Sequence, residues 1–576
     1  MLDPGSTWML PATLAPTADG QWIVHSPGTH RVQRIEEGLR AVLYPRVGDS
    51  LRCRSAKELG LRQADASEAL QRGLAVGVAD LSGAIVKRRP IGPHPVQCLA
   101  IVTKNRPALL RRALSACLPL VQKHSVSLVI VDQSSERYTS RTRALAQAIS
   151  CRGVRVAYVG AGEVRQMQQR IARDTRLPDA ALDFVLTGRE LSECAYGAAV
   201  NVAVLQCAGK ATAIVDDDVI LSHAVLGPLK GNTLNVGPDG DPTILDVRVP
   251  QLPVDAGLKD SRADPLCLLG SELGANLSFV FQRHERIQWC GPLVEKALEP
   301  SGQDRVVATA LGIVGDCGLW SLHPYATLPD EVLASMTTSD SRYRTLRSSR
   351  RVARAAPNTT LTGGGFLMTA AVAFANSDPL IPFFPVCRNP DGVFSHCIAA
   401  FCRDALHLFR PEVVVHSKFK APLSSDPQMH NASFVRLSDV LTYLIRGPLA
   451  TTHRSGSTVT RIESFGMQLE ALAAHAAEFR EVIVEARSHL LLSQLWYLRH
   501  RIESAEWRTP ARSLWEQDIR AQMTAISKEL GRPSRLLFEF PESRLECIAA
   551  ATAQFGQAVR AWRSVWQSAQ KAQHFA

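Results

Sequence analysis

The chain has 576 residues, 46% of them hydrophobic, with 65 basic against 54 acidic side chains and a net charge of +11. This is the composition of a globular protein of about two to four domains. It offers no apolar run long enough for a membrane span and no secretory leader, and its 13 scattered cysteines read as reduced thiols in a cytoplasmic setting. The excess of base favours anionic ligands, but no stacking surface accompanies it, so nucleic acid is not an expected partner.

Residues 1–95 read as a small α+β module, with a strand at Gln21-Trp22-Ile23-Val24-His25 and helices over Ile35–Leu43 and Ala66–Leu74. From residue 96 the pattern changes. Cys98-Leu99-Ala100-Ile101-Val102 is an apolar strand, and Leu109, Leu110, Ala113, Leu114 and Cys117 then recur at helical spacing. A second strand, Ser127-Leu128-Val129-Ile130-Val131, ends at Asp132, and a third, Val154–Val159, runs into a polar helix. Strand alternating with helix predicts a mostly parallel α/β sheet. After a further helix, Ala211-Thr212-Ala213-Ile214-Val215 ends in Asp216-Asp217-Asp218. A strand that ends in acids puts carboxylates at the rim of the sheet, where open α/β sheets bind ligands. Alternation sends Asp216 and Asp218 to one side, and hard divalent cations take such oxygens together with phosphates. A solvated turn is the alternative.

Four segments in this order carry a resemblance: Ile101-Val102-Thr103-Lys104-Asn105-Arg106-Pro107, Val129-Ile130-Val131-Asp132-Gln133-Ser134-Ser135, Gly197-Ala198-Ala199-Val200-Asn201 and Val215-Asp216-Asp217-Asp218. Together the set resembles the nucleotide-sugar half of the family 2-type glycosyltransferases of GT-A fold. Val200 departs from the pattern, since such enzymes often carry Arg there. The resemblance implies that Thr103, Asn105 and Arg106 line a nucleotide pocket, that Asp132 accepts a hydrogen bond from the base (uracil most often), and that Asn201 and Asp217 lie by the nucleotide sugar. It implies that Asp216 and Asp218 hold Mn²⁺ or Mg²⁺ as a DxD motif.

Farther along, Arg347, Arg350, Arg351 and Arg354 fall at three- and four-residue spacing and predict one helical face, read either as solvated or as a clamp for diphosphate or acceptor. Asp391, in a Gly- and Pro-bounded loop, takes the place of the family's catalytic base. His416 follows the short strand Val413-Val414-Val415 and is a candidate third metal ligand. Asp316, in Gly312-Ile313-Val314-Gly315-Asp316, is a weaker acceptor-site candidate. Residues 96–435 thus read as one transferase domain, with a nucleotide-sugar half over 96–240 and an acceptor half over 241–435. Residues 436–576 read as a helical domain, in which Leu469, Leu472, Ala476, Phe479 and Ile483 form a stripe that packs a bundle or, alternatively, pairs copies of the chain.

The expectation is therefore a metal-dependent, inverting transferase. It would move a sugar from a nucleotide-diphosphate sugar, UDP-linked by preference, to an unidentified glycan or peptide acceptor. An inactive scaffold that binds nucleotide, peptide or glycan is the alternative. A nucleotidyl transferase would carry a glycine-rich phosphate loop after the first strand, and Thr103-Lys104-Asn105-Arg106 has no glycine.

Overall fold

A computed structural model describes residues 90–188, 195–226, 233–237, 241–246, 262–284, 286–289, 293, 303–316, 328–348, 351–417, 434–447, 449, 456–531, 536–537 and 539–573. Before residue 90 it describes only five short strands, β1 (Trp8–Met9), β2 (Thr13–Pro16), β3 (Trp22–Ser26), β4 (Arg31–Ile35) and β5 (Asp80–Leu81). The strand expected at Gln21–His25 corresponds to β3, which pairs with β2 and β4. The helices expected over 35–43 and 66–74 lie outside the described residues.

The first half is built as the alternation predicts. β6 (Cys98–Thr103), α1 (Pro107–Lys123), β7 (Ser127–Asp132), α2 (Glu136–Ser150), β8 (Val156–Val159) and α3 (Ala161–Asp174) follow in order. Then come α4 (Asp179–Thr187), α5 (Tyr196–Gln206) and β9 (Thr212–Asp216). β8, β7, β6 and β9 lie side by side and parallel. Every residue of β6 is buried, which is why its sequence is continuously apolar: helices cover both faces of such a sheet. The register puts Val102 opposite Asp216 and Thr103 opposite Asp132, so the acids of two strands stand level at the C-terminal edge.

Beyond β9 the sheet becomes mixed. β10 (Val219–Leu226), β11 (Thr233–Val236), β12 (Ile244–Asp246) and β13 (Arg262–Ala263) are followed by α6 (Pro265–Gly270), α7 (Leu277–Gln282), β14 (Arg286–Trp289) and the long β15 (Arg305–Asp316). Next come α8 (Asp330–Met336), α9 (Asp340–Ser348), β16 (Arg351–Ala355), β17 (Thr359–Thr362), β18 (Ala371–Phe374), α10 (Pro390–Phe401) and β19 (Ala405–His416). The 14 strands share one sheet, with its main path β14-β11-β17-β19-β15-β18-β9-β6-β7-β8. β18 runs antiparallel to β9, and β19 runs parallel to β15 but antiparallel to β10. Gly315 has φ +120°, and a Cβ there would stand 2.1 Å from the His416 carbonyl oxygen. Only glycine lets β15 pass so close to the end of β19.

The predicted arginine face does not form. The helix stops at Ser348 and β16 starts at Arg351, paired to β15 and β12. Strand pairing, with Val352 buried in it, overrides the helical spacing. Arg347 and Arg354 thus sit on different elements; Arg350 and the side chain of Arg351 lie outside the described residues.

The C-terminal region is helical, with α11 (Leu437–Arg446), α12 (Thr458–Ala473), α13 (Ala476–Glu503), α14 (Arg512–Gly531) and α15 (Leu545–Gln573). It shares one apolar core with the sheet. α15 lies against α3, α4 and α5, and on it Trp566 donates from Nε1 to Asn376 Oδ1 at 2.9 Å. Leu469, Phe479 and Ile483 of the stripe are fully buried. Among the described residues, no helix is long and apolar enough to cross a membrane.

Candidate active site

The acids after β9 fall into two groups. Asp217 turns inward: its Oδ2 accepts from Thr103 Oγ1 at 2.7 Å, and its Oδ1 lies 3.4 Å from Arg106 Nη1. Burial pushes the Asp217 carboxyl up to about 6, against the hydrogen bond from Thr103. Asp216 and Asp218 face the end of β19, while Asp218 Oδ2 also lies 3.3 Å from Arg106 Nη1. His416 Nε2 is 2.7 Å from Asp218 Oδ1 and 4.0 Å from Asp216 Oδ2. One donor atom from each of the three lies within 4.8 Å of the others. Asp218 is 3% exposed, whereas Asp216 keeps 24% of its side chain open, so a ligand can reach the cluster through Asp216. Burial, and then the neighbouring charge of Asp218, raise the Asp216 carboxyl above the usual carboxylate range. A cation would relieve that repulsion, and two carboxylates with an imidazole suit Mn²⁺ or Mg²⁺, the imidazole favouring Mn²⁺.

Asp391 is not in a loop. It sits in the first turn of α10, where Pro390 is pre-set for helix and Asn389 caps the end, its Oδ1 accepting from Gly392 N at 3.2 Å. Asp391 accepts from Thr369 twice, from Oγ1 at 3.0 Å and from the backbone N at 3.3 Å. Burial pushes its carboxyl up to about 7, and the charge of Asp216 adds to the rise. Thr369 Oγ1 is also 3.0 Å from Tyr196 Oη, and Tyr196 donates to Asp216 Oδ1. Thr369 and Tyr196 therefore link the candidate base to the candidate metal cluster. Sequence reasoning missed both. Tyr196 directly precedes the Gly197–Asn201 segment, but a tyrosine at a helix start carries no signal of its own.

Asp132 is 5% exposed and closes the end of β7. Its Oδ1 accepts from Ser134 N at 2.8 Å and its Oδ2 from Tyr158 Oη at 2.7 Å. Asn105, at φ +59°, braces the neighbouring loop: its backbone N donates to Ser134 Oγ at 2.7 Å and its Oδ1 accepts from Ser135 N at 2.8 Å. Arg106 is the exposed cation of the group, its side chain 47% exposed and its Nη1 3.3 Å from Asp218 Oδ2.

Asn201 and Arg347 lie elsewhere. Asn201 is fully buried; its amide nitrogen donates to the carbonyls of Val185 and Phe383, and its Oδ1 accepts from Phe383 N. That side chain ties α5 to α4 and to the segment before α10. The Arg347 guanidinium is spent on Asp518 of α14, with Nη1 2.6 Å from Oδ2. Arg354 pairs with Asp241 and covers the Phe366 ring at 4.6 Å. The side chain of Asp316 lies outside the described residues.

No protein-family model matches the chain, and no curated protein does. Among solved structures, the chain is similar to the mannosyltransferase PcManGT from Pyrobaculum calidifontis in complex with GDP-Man and Mn²⁺. The identity is 12%, over 78% of this chain and 92% of that one, with a TM-score of 0.28. An overlay that loose carries no argument about the chemistry of this chain.

Proposed function

We propose that this protein transfers a sugar from a nucleotide-diphosphate sugar, UDP-linked by preference, to an acceptor hydroxyl with inversion. The observation that carries the reading is the convergence of Asp216, Asp218 and His416 at the C-terminal edge of the parallel strands, with β6 between Asp216 and Asp132, and linked through Tyr196 and Thr369 to Asp391.

Asp216, Asp218 and His416 would hold Mn²⁺ or Mg²⁺, which supplies charge neutralisation for the departing diphosphate when bound. Asp132, fixed by Ser134 and Tyr158, presents its carboxylate to the donor face of the base. Thr103 and Asn105 hold the loops on either side of that pocket, and Arg106 swings from the acids to the diphosphate. Asp391 takes the acceptor proton as the acceptor oxygen bonds to the anomeric carbon and the bond from that carbon to the diphosphate oxygen breaks. General-base assistance of this kind contributes about 10²–10⁴-fold. Its raised carboxyl suits the task, since a base works best with its pKa near the working pH.

The test is the release of nucleoside diphosphate from a panel of UDP- and GDP-sugars with Mn²⁺ present. Release from one donor, stimulated by a hydroxyl acceptor, supports the reading. No release from any donor, with nucleotide still bound, would make the protein a binding scaffold.

A further inference from the structure

A second donor cluster stands at the opposite edge of the sheet. His124 caps the C-terminal end of α1, Asp264 caps the N-terminal end of α6, and Cys267 lies in the first turn of α6. One donor atom of each lies within 4.8 Å of the others. His124 Nε2 is 2.6 Å from Asp264 Oδ2 and 3.8 Å from Cys267 Sγ. His124 and Cys267 line a cavity of about 700 Å³, together with Gln97 and Ser127, which adjoin the starts of β6 and β7. A six-residue strand, about 20 Å, separates this edge from the acids.

We propose that His124, Asp264 and Cys267 form a three-ligand Zn²⁺ site on the wall of this cavity, with the fourth position left to solvent. The donor chemistry selects the metal. Imidazole nitrogen, carboxylate oxygen and thiolate sulfur together suit Zn²⁺, whereas the thiolate is a poor ligand for Mg²⁺ or Mn²⁺. The spacing fits as well. Tetrahedral Zn²⁺ puts nitrogen and sulfur ligands about 3.6 Å apart and nitrogen and oxygen ligands about 3.3 Å apart. The nitrogen–sulfur separation is already there; the shorter nitrogen–oxygen contact is a hydrogen bond that a metal would spread. The carboxylate is pre-aimed, because Asp264 Oδ1 accepts from the backbone N–H groups of Leu266 at 3.1 Å and Cys267 at 3.2 Å, leaving Oδ2 towards His124. Such outer contacts orient metal ligands. Finally, the Lys123 ammonium stands 2.9 Å from Asp264 Oδ2 with its side chain 61% exposed. A positive charge thus already pairs with the carboxylate oxygen that a cation would take, on a side chain exposed enough to give way to it.

The test uses the full chain stripped with a chelator and titrated with Zn²⁺ against a chromophoric competitor, then with Co²⁺ as a spectroscopic stand-in. Native protein and Asp216→Asn should each bind Zn²⁺ at this site, with a thiolate-to-Co²⁺ charge-transfer band in the near ultraviolet. Cys267→Ser should lose the band, and Cys267→Ser and His124→Ala should each weaken Zn²⁺ by about tenfold or more. Lys123→Ala should bind Zn²⁺ more tightly, because the competing cation is gone. Zn²⁺ should also protect Cys267 from alkylation. A band that survives Cys267→Ser, equal affinity in that variant, or alkylation of Cys267 at the same rate with and without Zn²⁺ would overturn the assignment.

Discussion

His416 Nε2 reaches to 2.7 Å from Asp218 Oδ1 because β10 runs antiparallel to β19 with Val219 opposite His416. The turn that carries the acids and the end of the last strand of the sheet are thus held in one register. Ser417 N closes the arrangement by donating to the Asp218 carbonyl at 2.9 Å. The histidine is a fixed part of the acid cluster, and the whole cluster stands on paired strands.

Asp391 sets a pH dependence with a definite sign. Its carboxyl titrates near 3.8 when unfolded and is pushed up to about 7 by burial in the fold. Between roughly pH 4 and 7 the folded protein binds the extra proton, so stability from this group falls as pH rises and stays lost above pH 7. Asp391→Asn removes that dependence. The melting temperature of the variant relative to the native protein should rise from about pH 4 to 7 and level off above pH 7. Glu539, also pushed up to about 7 by burial, cancels because both proteins carry it. In activity, kcat/KM should rise through an acidic limb that Asp391→Asn abolishes. A cation on Asp216 should shift that limb to lower pH, since the Asp216 charge is one cause of the rise.

Thr369 orients Asp391, the proposed base. Thr369→Val removes the Oγ1 contacts to Asp391 and Tyr196, both 3.0 Å, at constant volume. Turnover should fall about tenfold or more with nucleotide affinity little changed, and Thr369→Ser should restore most of it, as expected for an interaction used in the transition state. Steady-state kinetics with calorimetry on the two variants checks this; equal turnover in both would assign Thr369 to packing alone.

Asn201 should behave as a structural residue. Asn201→Ala strands the Val185 and Phe383 carbonyls and the Phe383 N–H in the interior. Unpartnered buried groups cost about 1–3 kcal/mol each, so the loss of three partners should shift unfolding in denaturant by about 3 kcal/mol or more. The affinity of the remaining folded protein for nucleotide should be unchanged. A weakened nucleotide with normal stability would return Asn201 to the sugar pocket.

Arg347 ties α9 to α14 through Asp518, which Tyr343 also reaches at 2.6 Å. Arg347→Ala should destabilise the protein by about 1–2 kcal/mol and leave diphosphate binding alone. A double-mutant cycle with Asp518→Ala should show coupling; weaker diphosphate binding in Arg347→Ala would revive a clamp.

The order of β6, α1, β7, β8 and β9 was legible because β6, β7 and β9 are buried, continuous apolar runs and α1 shows its helical period. The acids at Asp216–Asp218 were legible for the same reason, as charges that end such a run. What lay beyond reach depends on contacts distant along the chain. Nothing local marks Thr369 and Tyr196 as neighbours, or His124 as the partner of Asp264 and Cys267. The arginines from 347 to 354 follow a helical period, yet strand pairing at Val352 breaks it. Asn201 carries a polar side chain that burial turned to backbone carbonyls, a use that residue type alone does not announce.

The most direct measurement is a calorimetric titration of UDP and GDP into the native protein and into Asp218→Asn, each with and without Mn²⁺. Expected is nucleotide binding that needs Mn²⁺ in the native protein and is lost in Asp218→Asn, whose melting temperature stays near native. Binding that ignores Mn²⁺, or an Asp218→Asn variant that binds nucleotide and Mn²⁺ as the native protein does, would contradict a metal-dependent nucleotide-sugar site at Asp216, Asp218 and His416.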